Sequence, residues 1–141
     1  MQSRSFPLIL VFLIIAIAAV NAFAESYYWY WRMRWFDMPM HFAGGVWLAG
    51  TAVWWWYSKK EKLQNHFFSI LAVCLTAALG VGLAWELFEA GLGLATVGHI
   101  NEIADTLGDL FFDTLGGTAV ALFTWVRMKQ NIITTTNHGK N

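Results

Sequence analysis

Apolar residues in this chain come in long, almost unbroken runs, unlike the alternation of a strand or the single stripe of a surface helix. Four runs, Pro7 to Ala24, Met38 to Tyr57, Phe67 to Phe88 and Thr106 to Val126, approach the about 20 helical residues that cross a hydrocarbon core of ~30 Å. The pattern predicts an all-α, polytopic membrane protein, a small bundle of four transmembrane helices forming one domain over residues 1–127. Residues 128–141 show no periodicity and are expected to form a disordered tail. The first run invites a second reading, because Arg4 precedes it and Ala22-Phe23-Ala24 before Glu25 resembles a small-residue cleavage site. A retained helix is favoured, since the run exceeds a usual signal core and three spans alone would cover a polar face poorly.

Lysine and arginine in the short connections set the orientation. With both termini cytoplasmic, Arg4, Lys59, Lys60, Lys62, Arg127, Lys129 and Lys140 lie inside, and only Arg32 and Arg34 lie outside. Aromatic residues fit the same spans: Tyr27 to Trp31 and Trp35 form an outer belt, and Trp54 to Tyr57 with Trp125 an inner one. The expected location is therefore a cell membrane crossed several times.

Polar residues interrupt these runs in a pattern of their own. The fourth span opens with Asp105, Asp109 and Asp113, four residues apart and so stacked along one helix face. The second opens with Asp37, which suits an N-cap, then Pro39 in the first turn, and His41 on the same face as Asp37, about 6 Å deeper. An Asp one turn before a His can fix its tautomer and raise its basicity, although a lone His on an apolar helix is more often structural. The third span ends with Glu86 and Glu89 on one face, and Glu86 has apolar neighbours and an unfavourable place near a helix C-terminus. Gly44-Gly45 follow His41 as Gly116-Gly117 follow Asp113, which suggests that the second and fourth helices cross near Gly44 and Gly116.

Composition changes the picture in two ways. Only 13% of residues are charged, against about 25% in soluble proteins, and the net charge of zero offers no basic surface for nucleic acid. The single cysteine, Cys74, excludes an internal disulfide or a cysteine metal cluster and reads as a small buried hydrophobe.

The predicted topology then gathers the polar residues. Counting Glu25 of the first outer loop and Glu61 apart, the other seven of the nine acids, Asp37, Glu86, Glu89, Glu102, Asp105, Asp109 and Asp113, fall at the extracytoplasmic end of the last three spans, together with His41. Ionisable groups in a membrane span are costly and by default mark function. Carboxylates this close cannot all ionise unaided, so some hold protons or a cation neutralises them. A divalent metal is the expected cofactor, with Asp37, His41, Glu86, Glu89, Asp109 and Asp113 as candidate ligands. His99 is expected to be solvated in the loop from Leu94 to Ala104.

The order of these motifs, Asp-x-x-x-His-Phe opening one span, Trp-Glu-x-x-Glu closing the next and Asp-x-x-x-Asp-x-x-Gly in the last, resembles the YjdF-like membrane proteins and, more distantly, the VanZ-like proteins. The likeness covers Asp37 to Gly117. It implies that Asp37, His41, Glu86, Glu89, Asp109 and Asp113 are the family's polar positions and that the protein belongs to a group proposed to act on lipid headgroups; VanZ itself is linked to glycopeptide resistance. Met38, where VanZ-like chains often carry a basic residue, and Asp113, where they often carry Asn, depart from the VanZ pattern.

The expected function is enzymatic: hydrolysis or transfer of a phosphate- or ester-linked headgroup of a membrane lipid. His41 would be general base or nucleophile, Asp37 its orienting partner, and Glu86, Asp109 and Asp113 acids or metal ligands. Arg32 and Arg34 are candidates for the lipid phosphate. The di-iron motif Glu-x-x-His is absent, which disfavours a redox di-iron site. Two other classes fit the same residues: a structural or assembly subunit whose polar groups join helices, and a proton- or cation-coupled carrier. The carrier has little room in four short helices. Oligomeric state is not legible.

Overall fold

The computed structural model describes residues 5–33, 35–59, 66–92 and 99–138, and the backbone alone at 92, 99–102 and 131–138. All regular structure among them is helical: α1 (Leu8–Ser26), α2 (Trp29–Arg32), α3 (Asp37–Ser58), α4 (Phe67–Leu92) and α5 (His99–His138). The expected all-α class is what is seen.

Helices α3, α4 and α5 pack against one another, and α1 lies outside them against α3. Length and apolarity suffice for membrane crossing in Leu8–Ser26 and Phe67–Gly91. The 22 residues of α3 reach about 33 Å, long enough to cross, but they begin with the polar turn of Asp37 and His41. In α5 the three aspartates likewise lower the apolarity of the early turns. These two helices thus carry the polar groups that α1 and most of α4 lack.

Two boundaries differ from expectation. Helix α5 already runs at His99 and continues to His138, so the second part of the anticipated outer loop and much of the anticipated disordered tail are helical. No glycine or proline occurs between Gly117 and Gly139, so nothing in that stretch stops a helix once begun. At α3, Asp37 is the first helical residue, Phe36 occupies the cap position, and no side chain caps the end. Asp37 is therefore not the N-cap its position suggested; its carboxylate turns to His41.

Close approach decides the packing. A Cβ added at Gly45 would lie 2.6 Å from the Asp113 carbonyl oxygen, and one at Gly116 would meet the Phe42 carbonyl and lie 2.8 Å from the Val46 nitrogen. Helices α3 and α5 thus cross backbone to backbone at Gly45 and Gly116. The expectation held for Gly116 but not for Gly44, which faces open space. Gly117 faces α4 instead, near Ala78 and the Cys74 carbonyl.

Toward the opposite end, Ala49, Ile70, Cys74 and Ala121 form a buried apolar cluster, with Val53, Phe67, Trp125 and Met128 against it. Cys74 is buried there, as a small hydrophobe should be. Lys59 and Lys129 lie over the rings of Trp55 and Trp125, 4.7 and 4.0 Å from their centroids, which suits an interface where cations and indoles meet. Large apolar side chains such as Phe12, Ile15, Phe68, Leu83, Phe111 and Phe123 point outward. A surface this apolar calls for hydrocarbon around it.

Helix α1 is tied on by more than apolar contact. The Trp47 indole donates to the Leu10 carbonyl at 2.9 Å, and the Trp54 indole to the Ser5 carbonyl at 3.2 Å. At the far end of α1, the Tyr30 hydroxyl donates to Asn21 Oδ1 at 2.6 Å and the Asn21 amide to Glu25 at 3.1 Å. Burial first, then the neighbouring carboxylates Asp37, Glu25 and Glu89, push the Tyr30 phenol up to about 12. It stays a neutral donor, holding α2 near the polar end of the bundle.

Candidate functional site

The first turns of α3, the last turns of α4 and the early turns of α5 meet at one end of the bundle. His41, one turn into α3, points between the other two helices, with its side chain 10% exposed. Its Nε2 lies 3.8 Å from Asp37 Oδ1 of the preceding turn, 3.9 Å from Glu86 Oε1 of α4 and 4.0 Å from Asp109 Oδ1 of α5. Its Nδ1 lies 3.3 Å from Asp113 Oδ2. One imidazole thus has a carboxylate on one nitrogen and three around the other.

The two nitrogens are not equivalent. Asp113 is within hydrogen-bond reach, and when ionised it can only accept, which places the proton of that bond on Nδ1. In a neutral ring this leaves the Nε2 lone pair directed at the other three acids. Those contacts, at 3.8 to 4.0 Å, lie beyond hydrogen-bond distance, whereas the 3.3 Å contact at Nδ1 is a long hydrogen bond. Glu86 shows the same division: Oε2 accepts from the Thr106 hydroxyl at 2.8 Å, whereas Oε1 is buried without a hydrogen-bond partner.

Charge makes the arrangement expensive. Asp109 and Asp113 have side chains only 6% and 3% exposed, and among the described residues no lysine or arginine pairs with any of the four acids. A protonated His41 supplies one positive charge against four carboxyl groups. Protons or a cation must make up the difference, because unpaired buried charge is costly. Asp37, His41 and Asp109 offer donor atoms that all lie within 4.8 Å of one another, a group able to hold a metal ion.

The structure thus brings together five of the sequence-derived candidates: Asp37, His41, Glu86, Asp109 and Asp113. Glu89 is half-buried on α4 but is not among the acids within 4.0 Å of His41. Asp105 is exposed at the rim. Arg32 is exposed at the end of α2 and makes no ion pair with the cluster, while Arg34 and the side chains of His99 and Glu102 lie outside the described residues.

Sequence reasoning passed over two members. Thr106 precedes Asp109 by three residues and Asp113 by seven, so it shares their helix face, and that register was the available signal. Gly82 precedes Glu86 by four on α4, and a Cβ there would run into the Asp113 carboxylate. Its missing side chain is the space that Asp113 fills, a relation between two helices that no spacing along one of them encodes.

The family model described as predicted membrane protein, DUF2238, matches residues 2–130. The chain belongs to that family. No curated protein and no solved structure matches it. The membrane character of this DUF2238 protein, read first from its apolar runs, is that of its family. Its buried His and acids lie within the matched residues.

Proposed function

We propose that this protein is a membrane-embedded enzyme that hydrolyses or transfers a phosphate- or ester-linked lipid headgroup. The observation that carries the reading is His41 itself, held by Asp113 on Nδ1 and presenting Nε2 to Asp37, Glu86 and Asp109 from three helices. A purely structural histidine needs one partner; four acids around one ring, Asp109 and Asp113 of them buried, are a destabilising arrangement that packing alone does not require.

In this reading all four long helices cross the membrane, both termini are cytoplasmic, and the cluster opens to the extracytoplasmic face, as the lysine and arginine distribution favours. His41 then lies about 6 Å below the start of α3, at the depth where a phospholipid's phosphate and ester groups meet its chains. A lipid reaches such a site laterally. An attacking water is activated at His41 Nε2 and its carboxylate neighbours, its oxygen bonds to the phosphorus or acyl carbon, and the bond to the leaving oxygen breaks. That oxygen takes its proton from a protonated carboxyl of the cluster, for which Asp109 and Glu86 are placed. A divalent metal ion is the cofactor this donor set favours, and it would supply charge neutralisation and electrophilic activation. The motif likeness to YjdF-like and VanZ-like proteins supports the same class of substrate.

The test is a comparison of lipid composition in a host that lacks the protein, one that carries it, and one that carries Asp109→Asn at equal abundance. One headgroup class should change with the wild type and revert with the variant. Identical profiles in all three hosts would remove the enzymatic reading.

A further inference from the structure

We propose that Asp37 Oδ1, His41 Nε2, Glu86 Oε1 and Asp109 Oδ1 are the four protein ligands of one first-row divalent cation, and that Asp113 and Thr106 are positioning residues behind two of them. The inference deepens the reading of this cluster as a chemical centre, dividing its residues into those that would touch an ion and those that act through another side chain.

Convergence is the first support. Nε2 stands 3.8, 3.9 and 4.0 Å from the three carboxylate oxygens, and the Asp37, His41 and Asp109 donors lie within 4.8 Å of one another. Ligands at about 2.0–2.4 Å from a shared ion in a tetrahedral arrangement are separated by about 3.3–3.9 Å. The Asp37, His41 and Asp109 donors are therefore near the spacing that an ion imposes, and Glu86 Oε1, 3.9 Å from Nε2 but outside that mutual group, is the ligand that would close on the ion. None of the three oxygens is near enough to Nε2 to hydrogen-bond it.

The second support is independent of the acids' proximity. Glu86 Oε1 is fully buried and has no hydrogen-bond partner, and it lies 3.9 Å from Nε2 of His41, whose hydrogen bond is made at Nδ1. Buried polar atoms are rarely left without a partner. Oε1 and Nε2 are aimed into the same space.

The third is the division of each ligand. Metal-bound histidines commonly donate their other N–H to a carboxylate, and metal-bound carboxylates are themselves hydrogen-bonded. Here Asp113 takes Nδ1 at 3.3 Å and Thr106 donates to Glu86 Oε2 at 2.8 Å. Each positioning contact engages the atom facing away from the centre. Three hard oxygens with one imidazole nitrogen suit Zn²⁺ or Mn²⁺ and not a thiolate-seeking ion. The dication offsets most of the negative charge of three ionised ligands, in a site where no lysine or arginine does so among the described residues. With the Nε2 lone pair committed to the ion, the proton-accepting role passes to a carboxylate.

The experiment uses the full chain purified in detergent, stripped with chelator and titrated with Zn²⁺ and, separately, Mn²⁺, with bound metal counted by mass spectrometry and affinity read by calorimetry. About one equivalent of at least one of these ions is expected. Glu86→Gln should abolish stoichiometric binding, whereas Asp113→Asn and Thr106→Val should weaken it about 10- to 100-fold, and rim variant Asp105→Asn should bind as the wild type does. Each variant is compared at equal helicity and elution volume, and Thr106→Val, which removes only a hydroxyl, serves if the others do not fold. No stoichiometric binding of either ion by the wild type, or unaltered affinity in Glu86→Gln, would overturn the assignment. The two proposals separate cleanly: lipid turnover without a bound ion leaves the enzyme and returns His41 to the role of base, whereas a bound ion with no change in lipid leaves the cation site and removes the enzyme.

Discussion

Alanine at Gly45 and alanine at Gly44 should move stability in opposite directions, although the two positions are adjacent on one helix. Intrinsic helix propensity favours alanine over glycine by about 1 kcal/mol at either position. At Gly44 nothing lies within 4 Å of the new methyl group, so that gain remains. At Gly45 the methyl carbon would lie 2.6 Å from the Asp113 carbonyl oxygen and 3.0 Å from its Cα, where an ordinary C···O contact is about 3.3 Å or longer. The obstacle is helical backbone, which cannot swing aside, so α3 and α5 must part by roughly 0.7 Å to restore that contact. Overpacking of this kind costs about 1–3 kcal/mol. It also moves His41 on α3 away from Asp109 and Asp113 on α5. Gly44→Ala should match or exceed the wild type in thermal unfolding in detergent, and Gly45→Ala should fall about 1–3 kcal/mol below Gly44→Ala once propensity cancels. Equal stability of the two variants would refute a glycine-mediated crossing at this place.

Gly82→Ala should leave the fold intact yet behave like a lesion of Asp113, because the added methyl overlaps a movable carboxylate and not backbone; wild-type cation affinity and lipid turnover in that variant would refute the role given to Gly82. Trp47→Phe should cost about 0.5–1.5 kcal/mol through loss of the indole bond to Leu10, and Trp54→Phe, whose bond to Ser5 is longer and exposed, less. Thermal unfolding of both in detergent checks the order, and the reverse order would show that α1 is not held chiefly at Trp47.

Much of this protein was written into the linear order of its residues. Uninterrupted apolar runs made helices the only economical way to satisfy the backbone in lipid, so the class and the approximate spans of α1, α3 and α4 followed from composition and length. The acids and His41 were conspicuous for the same reason, since each is costly within an apolar run. Helical register even placed Asp37 beside His41 and Asp109 beside Asp113. Other outcomes depended on how the helices meet. Only their packing chose Gly45 over Gly44, turned Asp113 to Nδ1 and the remaining acids to Nε2, left Glu89 out, and made Gly82 the space for a neighbour's carboxylate. The physical reason is that register along one helix fixes which side chains share a face, whereas the rotation and depth of that face against another helix depend on the summed contacts of both. Those contacts set the distances between 3.3 and 4.0 Å on which the chemistry of this cluster depends.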